Sequence, residues 1–215
     1  MPALILGALG KVEALENQRL TPTAIGEPEG GPAQAITQIG RFICDLYRLD
    51  LCLDGHDFLV SQQLVRTLLP DPSPRTGVLA LEVADELQLG VYIDPDDCEN
   101  LFALVEETSH LVCLAWHAAR DRPVSPLVLE LQSEIDRFLY FCHDSGNLSF
   151  ACFERGRPAA WLNDGDRERY EVARTRAQRY CTRLAQRFAP RGDTRGLARE
   201  LRRFYRSSPS QKLSF

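Results

Sequence analysis

The sequence predicts an α+β fold: a small antiparallel β-sheet, formed by one β-hairpin, followed by a predominantly helical C-terminal half of about four helices. Three observations lead there. Val78-Leu79-Ala80-Leu81-Glu82-Val83 and Glu86-Leu87-Gln88-Leu89-Gly90-Val91-Tyr92-Ile93 are strand-like runs separated only by Ala84-Asp85, the spacing of a tight hairpin. Beyond them, Asp94-Pro95 and Ser125-Pro126 each place a capping side chain before a proline, which is how helices begin. The apolar residues that follow recur at helical spacing. With 215 residues, 44% of them hydrophobic and 26% charged, the chain suits one folded domain with an extension.

In chain order, residues 1–37 read as a flexible N-terminal extension and 38–215 as a single α+β domain. Gly26-Glu27-Pro28-Glu29-Gly30-Gly31-Pro32 is linker composition, and a short helix fits Leu9 to Gln18. The folded part is expected to begin near Ile39. Tyr47-Arg48-Leu49-Asp50-Leu51-Cys52-Leu53-Asp54 alternates apolar and polar side chains, which predicts a strand, and Gly55-His56-Asp57 predicts a turn. Ser61 caps a short helix carrying Leu64, Val65 and Leu68, and the proline-rich run from Leu69 to Pro74 ends it. After the hairpin, the helix announced by Asp94 is expected to reach about Ala119, with a break near Asn100. A second helix buries Leu127, Leu131, Ile135, Phe138 and Cys142, and Leu148 to Phe153 reads as a strand. A third helix, Asp166 to Phe188, buries Tyr170, Ala173, Ala177, Tyr180, Leu184 and Phe188. A last one, Thr194 to Tyr205, presents Leu197, Leu201 and Phe204.

Composition narrows the function classes. No apolar run approaches the ~20 residues of a membrane helix, and Met1 to Gly7 lacks the positive charge of a secretory signal. The seven cysteines are scattered, without a CxxC pair, so they read as reduced side chains of a cytoplasmic protein with no membrane partner. Charge is segregated: Asp164 to Phe215 holds 14 Lys+Arg against 6 Asp+Glu, a balance of +8, so the remainder carries −13 of the net −5.

The segment with most chemical content is Glu106-Glu107-Thr108-Ser109-His110, set in the apolar surroundings of Leu101 to Val105 and Leu111 to Trp116. A helix apolar on all sides is buried, and buried ionisable groups must be paired or bind a metal. Glu106 and His110 share a helix face at i, i+4, Cys113 and His117 continue that line, and Glu130 and Glu134 have the same spacing on the next helix. A short loop joins the two helices, so antiparallel packing would bring Glu106, His110, Glu130 and Glu134 together as ligands for a divalent ion such as zinc, manganese or iron.

At these residues the chain resembles the thermolysin-like, or gluzincin, metallopeptidases, which carry His-Glu-x-x-His on one helix and Asn-Glu-x-x-Ser-Asp on the next. Glu106 to His110 matches the first motif except at its leading histidine. Leu129-Glu130-Leu131-Gln132-Ser133-Glu134 matches the second at Glu130 and Ser133 and keeps an acid at Glu134. The interval from His110 to Glu130 and the order hairpin-then-motif-helix also agree. The resemblance spans about residues 78–136. It implies that His110 and Glu130 are metal ligands and that Glu107 is the catalytic general base, with Glu106 as an anion in place of a neutral imidazole. The expected function is a metal-binding zincin-like protein, either a metal-dependent hydrolase or peptidase or its inactive relative. A ferritin-like di-iron site is a further reading, since Glu107-x-x-His110 supplies one of the two motifs such a site needs.

Other readings stand beside it. Glu106 and Glu107 could pair with arginines of the third helix, His110 could be a neutral core histidine bonded to Glu106, and Glu130 and Glu134 could lie on a solvated flank. The alternative function is a non-enzymatic interaction protein that binds a protein partner or nucleic acid through its arginine-rich C-terminal helices. Against that, the arginines could pair with the acidic N-terminal half, within the chain or across a homodimer. The tail from Ser207 to Phe215 is a further candidate docking segment.

Overall fold

The computed structural model describes residues 30–69, 75–84, 86–145, 153 and 163–214. Its first helix, α1 (Gly31–Tyr47), starts inside the segment expected to be linker, with Pro32 in its first turn, where a missing N–H costs nothing. Ala35, Ile36, Ile39, Ile43 and Tyr47 are buried along one side of it. That three-to-four spacing wins over the alternation read from Tyr47 to Asp54. The expected strand is therefore corrected: Tyr47 ends α1, and residues 48–54 have no regular structure. Arg48 closes the helix in the left-handed region, its N–H donating back to Asp45 O and Cys44 O. The helix expected over Leu9 to Gln18 lies outside the described residues, as does the expected strand from Leu148 except for Phe153, which is helical.

The turn read at Gly55 is a single helical turn, α2 (Gly55–Phe58), packed on α1. Gly55 is required there: a Cβ would lie 2.0 Å from the Ala33 carbonyl oxygen. Ser61 caps α3 (Gln62–Leu68), accepting from the Leu64 N–H, as the sequence predicts. The hairpin is also as read. Strands β1 (Gly77–Val83) and β2 (Glu86–Tyr92) pair antiparallel from Gly77↔Tyr92 to Val83↔Glu86, with Ala84 left-handed in the turn.

Asp94-Pro95 opens a short 3-10 turn, Pro95–Asp97. The main helix, α4 (Leu101–Ala118), starts after the expected break, with Asn100 as its cap. Then come α5 (Pro126–Ser145), α6 (Asp164–Phe188), α7 (Thr194–Arg206) and a short α8 (Pro209–Leu213). The last was not legible beforehand. α4 packs on α1, α5 and the hairpin, α6 on α5, α7 on α1 and α6, and α8 on α5.

One apolar core runs through these helices. Tyr205 packs on Tyr47 with the rings tilted and centroids 4.3 Å apart, and meets Trp116 edge-on at 5.3 Å. Tyr180 stacks on Phe204 at 4.1 Å. The tail is folded onto this core: Lys212 is 1% exposed. Among the described residues, no helix is long and apolar enough to cross a membrane.

Candidate metal centre

α4 and α5 place the acidic residues. Reading α4 backwards from His110 to Glu106, the facing residue on α5 advances from Glu130 to Arg137, so the helices are antiparallel, as the short loop implies. Both helices are buried over this stretch, which takes the carboxylates out of water with them. Glu130 and Glu134 are 6% and 2% exposed. The solvated-flank reading of these two is corrected: the buried stripe of α5 is wide enough to include them.

Glu106, His110 and Glu130 form a group whose ligand atoms all lie within 4.8 Å of one another. His110 Nε2 is 3.4 Å from Glu130 Oε2, and both atoms are buried without a hydrogen bond. That separation has a chemical meaning. Two ligands at about 2.1 Å from a tetrahedral ion stand about 3.4 Å apart. The other imidazole nitrogen, Nδ1, faces Glu107 Oε2 at 3.3 Å. So Glu107, rather than the Glu106 named beforehand, is the carboxylate bonded to His110, and it directs Nε2 toward Glu130.

The other two carboxylates meet at Arg137. Its guanidinium donates to Glu106 Oε2 at 2.7 Å from Nη1 and to Glu134 Oε1 from Nη2. Glu134, one of the four expected ligands, therefore lies outside the group of three and is turned toward a cation of its own helix. α6 closes the site from the side. Tyr170 OH donates to Glu106 Oε1 at 3.2 Å, and Arg169 Nε lies 3.8 Å from Glu130 Oε1. The third helix was expected to supply arginines to Glu106 and Glu107; its Arg169 meets Glu130 instead, and the cation on Glu106 is Arg137 of the second helix. Cys113 and His117, further along the same face of α4, are buried but outside the group.

Electrostatics follow from this crowding. Burial, reinforced by Glu107 and Glu130, lifts the Glu106 carboxyl to about 7 against the pull of Arg137. Burial pushes the His110 imidazole down, but the Glu130 charge and the Glu107 hydrogen bond outweigh it and hold its pKa well above the ordinary value. Burial also raises Glu134, with Arg137 opposing. Four carboxylates thus share Arg137, His110 and the more distant Arg169 and Arg174, and burial holds protons on the cluster. A divalent ion would take the place of those protons. Imidazole plus two carboxylate oxygens is a donor set for zinc, manganese or iron(II).

A second polar network lies one turn away, and sequence reasoning missed it. Asp136 accepts from Tyr47 OH at 2.5 Å, Ser109 Oγ at 2.6 Å and Gln132 Nε2 at 2.9 Å. Lys212 Nζ donates to Gln132 Oε1 at 3.0 Å and sits over the Tyr205 ring at 4.9 Å. The available signal was Gln132 and Asp136 at i, i+4, each directly following a buried residue, Leu131 or Ile135. Against known protein families, curated proteins and solved structures, the chain finds no match.

Proposed function

We propose that this protein binds one divalent cation between α4 and α5 through Glu106, His110 and Glu130, and that the ion acts as a cross-link between the two helices. The single observation that carries this is the pair His110 Nε2 and Glu130 Oε2: buried, without hydrogen bonds, and 3.4 Å apart. Without an ion the two atoms have only each other, as a protonated imidazole facing a carboxylate; an ion would take the place of that proton and bind both. Glu107 supports the reading from outside the ligand set. A carboxylate on the far nitrogen of a ligating histidine fixes the tautomer and raises its basicity. Glu106 joins through the lone pairs that Arg137 and Tyr170 leave available, since each carboxylate oxygen accepts more than once.

The cross-link reading is favoured over the peptidase reading by the same geometry. A hydrolytic zinc site needs a general base free to take a proton from bound water. Glu107, which the resemblance gives that role, has its Oε2 on His110 Nδ1. Two carboxylate ligands also neutralise a divalent ion and weaken it as a Lewis acid. The zincin-like motif is thus best read as that of an inactive relative that keeps the ion for structure.

The test is calorimetric titration of zinc and manganese into chelator-treated protein. The expected result is one ion per chain, binding abolished in His110→Ala and in Glu130→Gln, and affinity lowered roughly 10- to 100-fold in Glu107→Gln. Stoichiometric binding that survives both ligand substitutions would overturn the assignment. Metal-dependent cleavage of casein that is lost in Glu107→Gln would replace the cross-link with a peptidase.

A further inference from the structure

Arg169, near the start of α6, meets Glu130, but the arginines further along that helix do not pair with the acidic half of the chain. Arg176, Arg179, Arg183 and Arg187 fall within about 80° of one another around the helix and follow it for about 16 Å. Three of the four are exposed and Arg176 is half-buried. The stripe leads into exposed Arg191 in the turn and exposed Arg195 and Arg199 on α7. Among the described residues, none of these seven makes an ion pair with a carboxylate. The pairs that exist lie beside them, Arg174 with Glu171 and Arg203 with Glu200. From Val172 to Gly192 there are six arginines and no aspartate or glutamate.

We propose that this stripe is a docking surface for the phosphodiester backbone of a nucleic acid, read without regard to base sequence. Its chemistry separates the possible occupants. Between Arg174 and Arg187 the exposed positions are Thr175, Gln178, Arg179, Arg183, Gln186 and Arg187, all of them hydrogen-bond donors and none apolar. Arginine, threonine and glutamine are side chains that contact phosphate oxygens, and the planar guanidinium matches phosphate two bonds at a time. A protein partner would need apolar anchors at the centre of its footprint, and the stripe offers none. A membrane would need an apolar helix face to insert. On α7 that face, Leu201, Phe204 and Tyr205, is already in the core.

The experiment is fluorescence anisotropy with a labelled 20-nucleotide single strand and a 20-base-pair duplex, at 50 to 200 mM salt with chelator present. The chelator keeps the outcome independent of the α4–α5 ion. Binding is expected to weaken with salt at a log–log slope of about −3 to −5, for four to five phosphate contacts. The triple variant Arg179→Gln/Arg183→Gln/Arg187→Gln should lower affinity at least ten-fold and reduce the slope by about 3. Its circular dichroism spectrum and thermal midpoint should match the parent's. The pair Arg41→Gln/Arg66→Gln, on α1 and α3, should lose much less. Absence of binding at 50 mM salt overturns the proposal, as does equal weakening by the two variants. Preferential binding of polyglutamate or phosphatidylserine vesicles does so as well, and assigns the surface to another partner.

Discussion

Replacing Arg137 by methionine tests how the buried charges are held. The alkyl stem is largely kept, and the guanidinium that holds Glu106 and Glu134 is lost. Removing one partner of a buried pair costs about 3–5 kcal/mol when the other charge stays. Here the carboxyl has an escape, since it can take up a proton. For Glu134, whose side chain is 3% exposed, that limits the cost. Protonating a glutamate of ordinary pKa 4.5 at pH 7 takes about 3.4 kcal/mol, at 1.36 kcal/mol per unit. Part is already spent in the parent, because burial raises Glu134 there. Glu106, at about 7, is half-protonated at neutral pH and adds less than about 0.5 kcal/mol. Lost hydrogen bonds add about 1 kcal/mol that does not depend on pH. The sign follows from linkage. A carboxyl whose folded pKa lies above its unfolded value binds its proton more tightly when folded, so stability falls as pH rises above 4.5. Urea unfolding in chelator should therefore show Arg137→Met destabilised by about 3 kcal/mol at pH 7 and about 1 kcal/mol at pH 5. Adding Glu134→Gln should remove most of the pH-dependent part. A loss of equal size at both pH values would refute the reasoning.

Three further outcomes are expected. Gly55→Ala should destabilise by about 2 kcal/mol or more in thermal unfolding, because its Cβ would meet backbone, the Ala33 carbonyl oxygen at 2.0 Å, rather than a side chain that can move; an unchanged midpoint would show that α2 shifts freely. His117 is 5% exposed, and burial, with Lys212 nearby, lowers its pKa to about 4. Its folded pKa lies below the unfolded one, so its contribution is present above about pH 6.5 and is lost as pH falls toward 4. The stability slopes of parent and His117→Gln should differ by about 1 kcal/mol per pH unit in that window, and parallel profiles would contradict this. Lys212→Met leaves Gln132 Oε1 without its donor and should cost about 2–3 kcal/mol, with faster proteolytic trimming of α8; unchanged trimming and stability would mean that the buried ammonium does not hold the tail.

The sequence made the cap-defined elements legible. Ser61, Asp94 and Ser125 cap helical turns because their side chains satisfy backbone N–H groups locally, whatever packs around them. The hairpin was legible for the same reason: its turn spans two residues. What failed depended on distant partners. Tyr47 looks like a strand residue when read with Leu49 and Leu51, and it is helical because its hydroxyl reaches Asp136 and its ring packs on Tyr205. α8 was invisible because its anchor, Lys212, ordinarily marks a surface. At the candidate site, spacing along α4 and α5 placed Glu106, His110 and Glu130 near one another, since helical periodicity and a short loop determine that much. It could not say that Arg137 would take Glu134, or that Glu107 rather than Glu106 would meet His110. Those choices depend on rotamers and on the angle between helices, which periodicity does not carry.

The most direct test of the central claim is an anomalous difference map from crystals grown with manganese after chelator treatment. The account predicts a single strong peak within about 2.0–2.3 Å of His110 Nε2 and of one oxygen each from Glu106 and Glu130, absent in His110→Ala crystals. An empty site in a well-ordered α4–α5 pair, with Arg137 and His110 alone balancing the carboxylates, would contradict it and leave the cluster a structural ion-pair network.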